Sequence, residues 1–148
     1  APSLVGSEMC IRDRINLSPS ICYEIAFDNL IRETAEASNI LLTVSNDTWF
    51  GKSIGPIQHL QIAQNRALEH QKPLVRATNS GISAFLTQKG EVIEKQDYFE
   101  EKNLKRRIML YSGQTFYTNW GNYPLIFLIF LYFCYVFVKI NAFRKKDL

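Results

Sequence analysis

Residue types that build metal sites and disulfide frameworks are scarce in this sequence. The three cysteines, Cys10, Cys22 and Cys134, form no CxxC pair, and the two histidines, His59 and His70, lie eleven residues apart without an HExxH pattern. These spacings argue against a zinc site and a disulfide scaffold. A formal net charge of only +3 argues against a nucleic-acid-binding protein. With 7 glycines and 5 prolines, the chain is neither collagen-like nor disordered.

The composition describes a globular body joined to an apolar tail. With 148 residues, of which 47% are hydrophobic and 21% charged, the chain has the size of one domain or part of one. Residues 1–14 show neither strand alternation nor a capped helix, and they lack the apolar core of a signal peptide. We interpret them as a non-native scar, because GSEMCIRDR resembles translated sequencing adapter, with a native surface strand as the alternative. Cys10 is not a candidate nucleophile under either interpretation.

The pattern over residues 15–112 predicts a layered α/β domain. Short apolar runs and amphipathic stretches follow one another in the order strand, helix, strand, helix and then several strands. The predicted strands are Ser20–Tyr23, Asn39–Val44, Leu74–Thr78, Ile82–Thr87, Glu91–Lys95 and Leu104–Leu110, and the predicted helices are Ala26–Ala37 and Pro56–Gln71. The strand Asn39–Val44 is nearly all apolar and is therefore expected to be covered on both faces. The side chains predicted to face inward from the helices are Phe27, Leu30, Ile31, Ala35, Ile57, Leu60, Ala63 and Ala67.

The C-terminal segment predicts a transmembrane helix over residues 123–140. Pro124–Val138 carries no charged and no amide side chain, and its flanks extend it toward the roughly 20 apolar residues that a span needs. Aromatic residues occupy the juxtamembrane linker, residues 113–122, whereas basic residues follow the span. By the positive-inside rule the tail, residues 141–148, is cytoplasmic and the body lies across the membrane. The alternative is a buried core helix, although so aromatic a run has no polar face for water.

Cys22 is the candidate nucleophile. The sequence Ile21-Cys22-Tyr23-Glu24 puts it where an apolar strand ends and a helix is about to begin. Unpaired backbone N–H groups and the helix dipole stabilise a thiolate at such a position. The same N–H groups can hold an oxyanion that forms when the thiolate attacks a carbonyl group. Position alone nevertheless favours a buried structural cysteine, because free cysteine is among the most buried residue types.

Four segments resemble the nitrilase, or carbon–nitrogen hydrolase, superfamily in their order and spacing. They are CYEIAF, LLTVSNDTWFG, GPIQHLQIAQNRALE and VRATNSGISAFLTQKGEVI. Because a membrane helix follows them, they most resemble the membrane branch of that superfamily, whose members N-acylate lipoproteins. The resemblance covers residues 18–146. It implies a partial α-β-β-α sandwich followed by one transmembrane helix, in a bacterial-type cell membrane with the catalytic domain extracytoplasmic.

The resemblance also implies roles for individual residues. The superfamily uses a Glu–Lys–Cys triad, in which Cys22 matches the nucleophile. Glu24 matches an acidic residue that is essential in the membrane branch, and Tyr23 matches the neighbouring aromatic residue. Trp49 and Phe50 are expected to line the entrance for the acyl chain, with an aromatic plug under their loop as the alternative.

The reaction implied by the resemblance is acyl transfer through a thioester on Cys22. A phospholipid gives the acyl group, the N-terminal diacylglyceryl-cysteine of a lipoprotein accepts it, and no cofactor or metal is expected. The Glu and Lys of the triad belong upstream of the nucleophile, where neither Glu8 nor Lys52 fits. The resemblance therefore implies a C-terminal fragment that is inactive alone. A membrane-anchored nitrilase-type amidase and a non-catalytic membrane-anchored module stay open as alternatives.

Other polar residues are predicted to have structural roles. The Asn46-Asp47 pair is predicted to hold its loop through bonds from side chain to backbone. Arg66 and Glu69 lie three residues apart on the second helix and are predicted to form an ion pair, with Glu24 as a further partner. His59 is predicted to be a packed or hydrogen-bonded helix residue.

Overall fold

The computed structural model describes residues 9–11, 15–97, 99–100 and 102–144, with the backbone alone for residues 9–11 and 141–144. Most of the predicted scar, residues 1–14, and half of the predicted basic tail, residues 141–148, lie outside the described residues. Met9–Ile11 pairs with the next strand, which is what a native surface strand would do. The non-native origin of residues 1–14 stays a prediction.

A six-stranded mixed sheet forms the centre of the body. Its strands lie side by side in chain order: β1 (Met9–Ile11), β2 (Ile15–Ile21), β3 (Ile40–Ser45), β4 (Leu74–Thr78), β5 (Ser83–Leu86) and β6 (Val92–Gln96). The strands β2, β3 and β4 are parallel, and the remaining neighbours are antiparallel. Because Ile21 pairs with Val44 and Val44 with Ala77, the carboxyl ends of the parallel strands meet at one edge. Functional sites of open α/β sheets collect outside that edge.

Two helices, α1 (Asp28–Ala35) and α2 (Gly55–His70), cover one face of the sheet. Each connects neighbouring parallel strands, and two crossovers of the same hand put both helices on the same face. Pro56 lies in the first turn of α2, where its missing N–H leaves no helical hydrogen bond unmade. The two helices and the sheet share one core, made of Ile25, Ile31, Ala35, Leu41, Leu60, Ala63, Ala67, Leu74, Ile82, Ala84 and Leu86.

The predicted order of strands and helices is confirmed as far as β6, but some burial predictions are wrong. Phe27 and Ile57, predicted to face inward, are 59% and 41% exposed. Val44 is 51% exposed, because the helices cover only one face of the sheet, so β3 is not covered on both faces. The predicted strand Leu104–Leu110 is absent among the described residues of that segment. This segment contacts β6 through side chains, as where Arg106 Nε donates to Glu94 Oε2 (2.5 Å).

Two further helices, α3 (Phe116–Trp120) and α4 (Tyr123–Arg144), follow the body. α3 is bonded to the end of α2, since Thr115 Oγ1 donates to the Glu69 carbonyl oxygen over 2.7 Å. α4 contains the segment Tyr123–Ile140, which has a mean hydropathy of 2.1 and is not buried anywhere along its length. Such a helix is long and apolar enough to cross a bilayer. Its exposure argues against the alternative of a buried core helix.

Candidate active site

Cys22 occupies a sharp turn at the carboxyl end of β2. Its φ angle is +53°, in the left-handed region that residues with a side chain rarely adopt. The residues after it form a short 3₁₀ helix, Cys22–Ala26, and α1 begins only at Asp28. The predicted helix Ala26–Ala37 therefore starts at Asp28, and a 3₁₀ turn lies between it and β2. Strained backbone of this kind persists where the surroundings impose it, and it clusters at active sites.

Glu24 closes the turn that carries Cys22. Its Oε2 accepts a hydrogen bond of 2.7 Å from the backbone N–H of Ile21. This contact fixes the peptide group between Ser20 and Ile21, at the end of β2. The carboxylate thus has a structural partner within the turn itself.

Cys22 opens onto a cleft of about 380 Å³ that it lines together with Asn46, Thr48 and Trp49. The loop across the cleft is held by Asn46, whose Oδ1 accepts from the Thr48 backbone N–H (3.2 Å) and from the Thr48 hydroxyl (2.6 Å). The predicted loop-holding role of Asn46 is thereby observed. Trp49 is 77% exposed, so it borders the cleft and is not a plug beneath the loop.

An aromatic cluster surrounds the turn. The ring of His59 lies 6.0 Å from that of Tyr23 and 5.9 Å from that of Phe50, between centroids. Phe50 in turn lies 6.0 Å from Trp49. The structure therefore brings the predicted residues Tyr23, Trp49 and Phe50 to one side of Cys22.

A buried polar network lies beneath this cluster. Asp47, His59 and Arg76 are each 2% exposed or less, and they come from the loop after β3, from α2 and from β4. Arg76 Nη2 donates to Asp47 Oδ2 over 2.6 Å and to His59 Nδ1 over 3.0 Å. His59 Nε2 lies 3.2 Å from the carbonyl oxygen of Cys22. The network therefore connects three elements of the sheet edge to the nucleophile's own backbone.

The partners of His59 assign its proton. The Cys22 carbonyl oxygen can only accept, so His59 Nε2 carries the hydrogen and donates it. Burial lowers the pKa of His59, and Arg76 lowers it further, against the opposing effect of Asp47. His59 Nδ1 lies 3.0 Å from both Arg76 Nη2 and Asp47 Oδ1, and the lowered pKa favours the neutral ring, in which Nδ1 accepts from Arg76. Burial also lowers the pKa of Arg76, although Asp47 raises it.

A second cluster fixes the far end of the 3₁₀ turn. Arg66 donates to the Asp28 carboxylate (3.2 Å), to the Glu69 carboxylate and to the Ile25 carbonyl oxygen (3.1 Å). The predicted ion pair between Arg66 and Glu69 is thus present. Pairing of Arg66 with Glu24 was wrong, because Glu24 is turned toward the backbone of its own turn.

Within the described part of the chain, one group of side chains has the composition of a cation site. The ligand atoms of Asp28, Glu69 and His70 lie within 4.8 Å of one another. Both carboxylates already accept hydrogen bonds from Arg66, whose positive charge takes the place that a metal ion would need. Burial lowers the pKa of His70 to about 4, so this histidine is neutral as well.

Sequence reasoning missed Arg76 and gave His59 a minor role. A signal for Arg76 was present: it lies two residues after Leu74 in an otherwise apolar strand, so both side chains point to the same, buried face. An arginine on a core-facing position requires an acidic partner. Nothing in the spacing identifies Asp47 as that partner, because the two residues are 29 positions apart.

The sequence of this chain is similar to those of known proteins. The sequence model of the family described as carbon-nitrogen hydrolase matches residues 5–115. The chain is 46% identical over 113 residues to an apolipoprotein N-acyltransferase of Photobacterium profundum, covering 76% of this chain and 22% of the relative. It is 46% identical over 132 residues to the protein of the same name from Haemophilus influenzae, covering 88% of this chain and 24% of the relative. The chain thus spans about a quarter of the length of these curated relatives.

A solved structure has the same fold. The carbon–nitrogen hydrolase of Helicobacter pylori G27 superposes with a TM-score of 0.50 at 18% sequence identity, over 58% of this chain and 38% of the other. The predicted nitrilase-like α/β fold is confirmed by this likeness and by the family match. The predicted resemblance to the lipoprotein-acylating branch is confirmed by the names of the relatives, which are enzymes.

Proposed function

This chain belongs to the carbon–nitrogen hydrolase family, and from that membership we propose that it carries the nucleophile of an apolipoprotein N-acyltransferase. The observation that carries the proposal is the position of Cys22. Its thiol lies on a strained turn at the carboxyl edge of the parallel strands and borders an open cleft. A cysteine retained for packing alone would need neither the left-handed backbone nor the cleft.

The proposed reaction has two steps that share one covalent intermediate. A general base takes the proton of the Cys22 thiol, and the thiolate attacks the acyl ester carbonyl of a phospholipid. A thioester bond forms, the ester C–O bond breaks, and the leaving oxygen takes that proton from the base, which releases lysophospholipid. The α-amine of a lipoprotein's diacylglyceryl-cysteine then attacks the thioester, an amide bond forms, and Cys22 leaves as the thiol. Dividing the transfer in this way is covalent catalysis, with ping-pong kinetics as its signature. The base and the oxyanion-stabilising lysine belong upstream of Cys22 by resemblance.

The neighbouring residues fit supporting roles in this reaction. Glu24 holds the peptide group between Ser20 and Ile21, so we assign its contribution to the shape of the turn. Trp49 is largely exposed at the cleft, and Phe50 packs behind it. Together with Tyr23, these rings offer an apolar border along which an acyl chain can lie.

The proposed location is a bacterial cell membrane. The segment Tyr123–Ile140 of α4 is the anchor, residues 113–122 form the linker to the body, and residues 141–148 form a cytoplasmic tail. The body, residues 15–112, then lies outside the cytoplasm, where it meets lipid and lipoprotein at the membrane surface. The apolar helix and the absence of basic residues from the linker support this orientation.

An acyl-enzyme trapping experiment tests the proposal. The full-length protein in its membrane is supplied with phospholipid carrying a labelled acyl chain, and the adduct is located by peptide mass spectrometry. We expect a hydroxylamine-sensitive thioester on Cys22, lost in Cys22→Ser and retained in Cys134→Ala. Cys134 is the matched control because it is a free, exposed thiol on α4.

Two other results would overturn the assignment. Release of ammonia from short amides without acyl transfer to an amine would identify an anchored amidase instead. An unreactive Cys22 with no adduct under any condition would identify a non-catalytic module.

A further inference from the structure

We propose that His59 is a positioning residue for the nucleophile: its Nε2–H···O=C bond to Cys22, backed by buried Asp47 and Arg76, holds the left-handed turn that presents the thiol to the cleft. This inference rests on the proposed function, because it takes Cys22 to be the reacting group. It concerns the geometry of the thiol and not the identity of the acyl donor.

The turn at Cys22 needs support from outside itself. A residue with a side chain is disfavoured at a φ of +53°, so an unsupported turn would relax to a negative φ and move the thiol. Two hydrogen bonds oppose that relaxation, one on each side of Cys22. Glu24 binds the N–H of Ile21 before it, and His59 binds the carbonyl oxygen after it. The two contacts hold the chain on both sides of Cys22 and so restrict how its backbone can rotate.

His59 itself is held rigidly. It is 2% exposed, and its other ring nitrogen accepts from Arg76 Nη2 at 3.0 Å. Arg76 is fixed by Asp47 and by the Ile82 carbonyl oxygen, to which its Nε donates over 3.1 Å. The Asp47 carboxylate also accepts 2.5 Å from the Ser45 hydroxyl. The support for the turn therefore comes from β3, β4 and α2 together.

The geometry separates this role from acid–base catalysis. The only proton on neutral His59 points at a carbonyl oxygen, and its second nitrogen is occupied by Arg76. Neither nitrogen is free to take the proton of the Cys22 thiol. His59 consequently acts through the backbone and does not touch the reacting atoms.

Thiol labelling measures this effect directly. Membranes containing the full-length protein are treated with N-ethylmaleimide, and the alkylation rate of Cys22 is read by peptide mass spectrometry, before and after denaturation in SDS. His59→Phe keeps an aromatic ring beside Tyr23 and removes the N–H donor, whereas His59→Gln keeps an N–H donor. His70→Phe is the matched control, since His70 is equally buried on α2 and its Nδ1 contacts Thr118 instead of the turn.

We expect His59→Phe to slow alkylation of Cys22 in the folded protein about tenfold, the factor that corresponds to about 1.4 kcal/mol, with the rate after denaturation unchanged. His59→Gln should recover most of the rate, and His70→Phe should leave it unchanged at matched thermal stability. An unchanged Cys22 rate in His59→Phe, or an equal loss in His70→Phe, would overturn the inference. If the variants show the expected alkylation rates but no acyl-thioester forms on Cys22 of the unsubstituted protein, the proposed acyl transfer is contradicted and the positioning role of His59 stands.

Discussion

The buried pair of Asp47 and Arg76 makes a strong prediction about stability. Both side chains are completely inaccessible to solvent, and their charged atoms are 2.6 Å apart. Replacing Asp47 by alanine leaves the guanidinium in the core without an opposite charge. Breaking a buried pair by removing one partner costs roughly 3–5 kcal/mol.

The surroundings of Arg76 indicate that this cost cannot be relieved locally. Its Nη1 already has no hydrogen-bond partner, and its Nε is bonded to the Ile82 carbonyl oxygen. Without Asp47, the guanidinium keeps that carbonyl and the neutral ring of His59. A loss of this size corresponds to a fall in the melting temperature of roughly 15–25 °C for a body of about 100 residues.

Thermal unfolding in detergent, followed by circular dichroism, measures the loss. Asp28→Ala is the control, because Asp28 is 21% exposed and its partner Arg66 keeps Glu69. That substitution should cost about 1 kcal/mol or less. The double variant Asp47→Ala/Arg76→Met should be more stable than Asp47→Ala alone, since it removes the unpaired charge. The reasoning is refuted if Asp47→Ala melts no lower than Asp28→Ala, or if the second substitution lowers stability further.

Two further predictions concern pH and packing. In the folded protein the pKa of His70 is about 4, whereas in the unfolded chain this histidine takes up a proton near pH 6.5. The unfolded state is therefore favoured increasingly as the pH falls from 6.5 to 4, and the stability present above pH 6.5 is lost over that interval. The loss in the free energy of unfolding is roughly 3 kcal/mol. In His70→Gln the melting temperature should depend less on pH over that interval, and an equally steep dependence in the variant would contradict the prediction. Gly81→Ala should destabilise the body, because its Cβ would lie 2.3 Å from Asp47 Oδ2. Gly51→Ala meets nothing within 4 Å, so its cost is confined to the backbone strain of a φ of +54°, roughly 1–3 kcal/mol; a Gly81→Ala variant that melts at the temperature of the unsubstituted protein would count against the steric argument.

Local sequence signals were sufficient for the order of the strands and helices. β3 could be predicted from the apolar run before Ser45, and the start of α2 from its proline. Both signals depend only on residues that are close together in the sequence. The same signals failed at Phe27 and Val44, both apolar and both exposed. Periodicity tells which residues share a face, but it does not tell whether another layer covers that face.

The candidate site is built by contacts between residues that are far apart in the sequence, which no local sequence pattern predicts. Cys22 could be identified by its place after a strand and by resemblance, but no local pattern predicted its left-handed φ or its bond to the distant His59. His59 lies 37 positions from Cys22, and Arg76 lies 17 positions from His59. Such pairs are decided by how the strands and helices pack together. They become visible only when the carboxyl edge of the sheet is assembled.

The position of the Cys22 thiol and its reaction with an acyl group depend on different parts of the protein. Among the described residues, the bonds that shape the Cys22 turn come from the segment of residues 21–76, through Glu24, His59 and the pair beneath it. The proton acceptor and the oxyanion-stabilising lysine that the family resemblance implies would act on the thiol from elsewhere. A protein can therefore keep a correctly turned, accessible Cys22 and still transfer no acyl group. Alkylation reports the first property and thioester formation reports the second, so a variant that loses only the thioester has lost its chemistry and not its geometry.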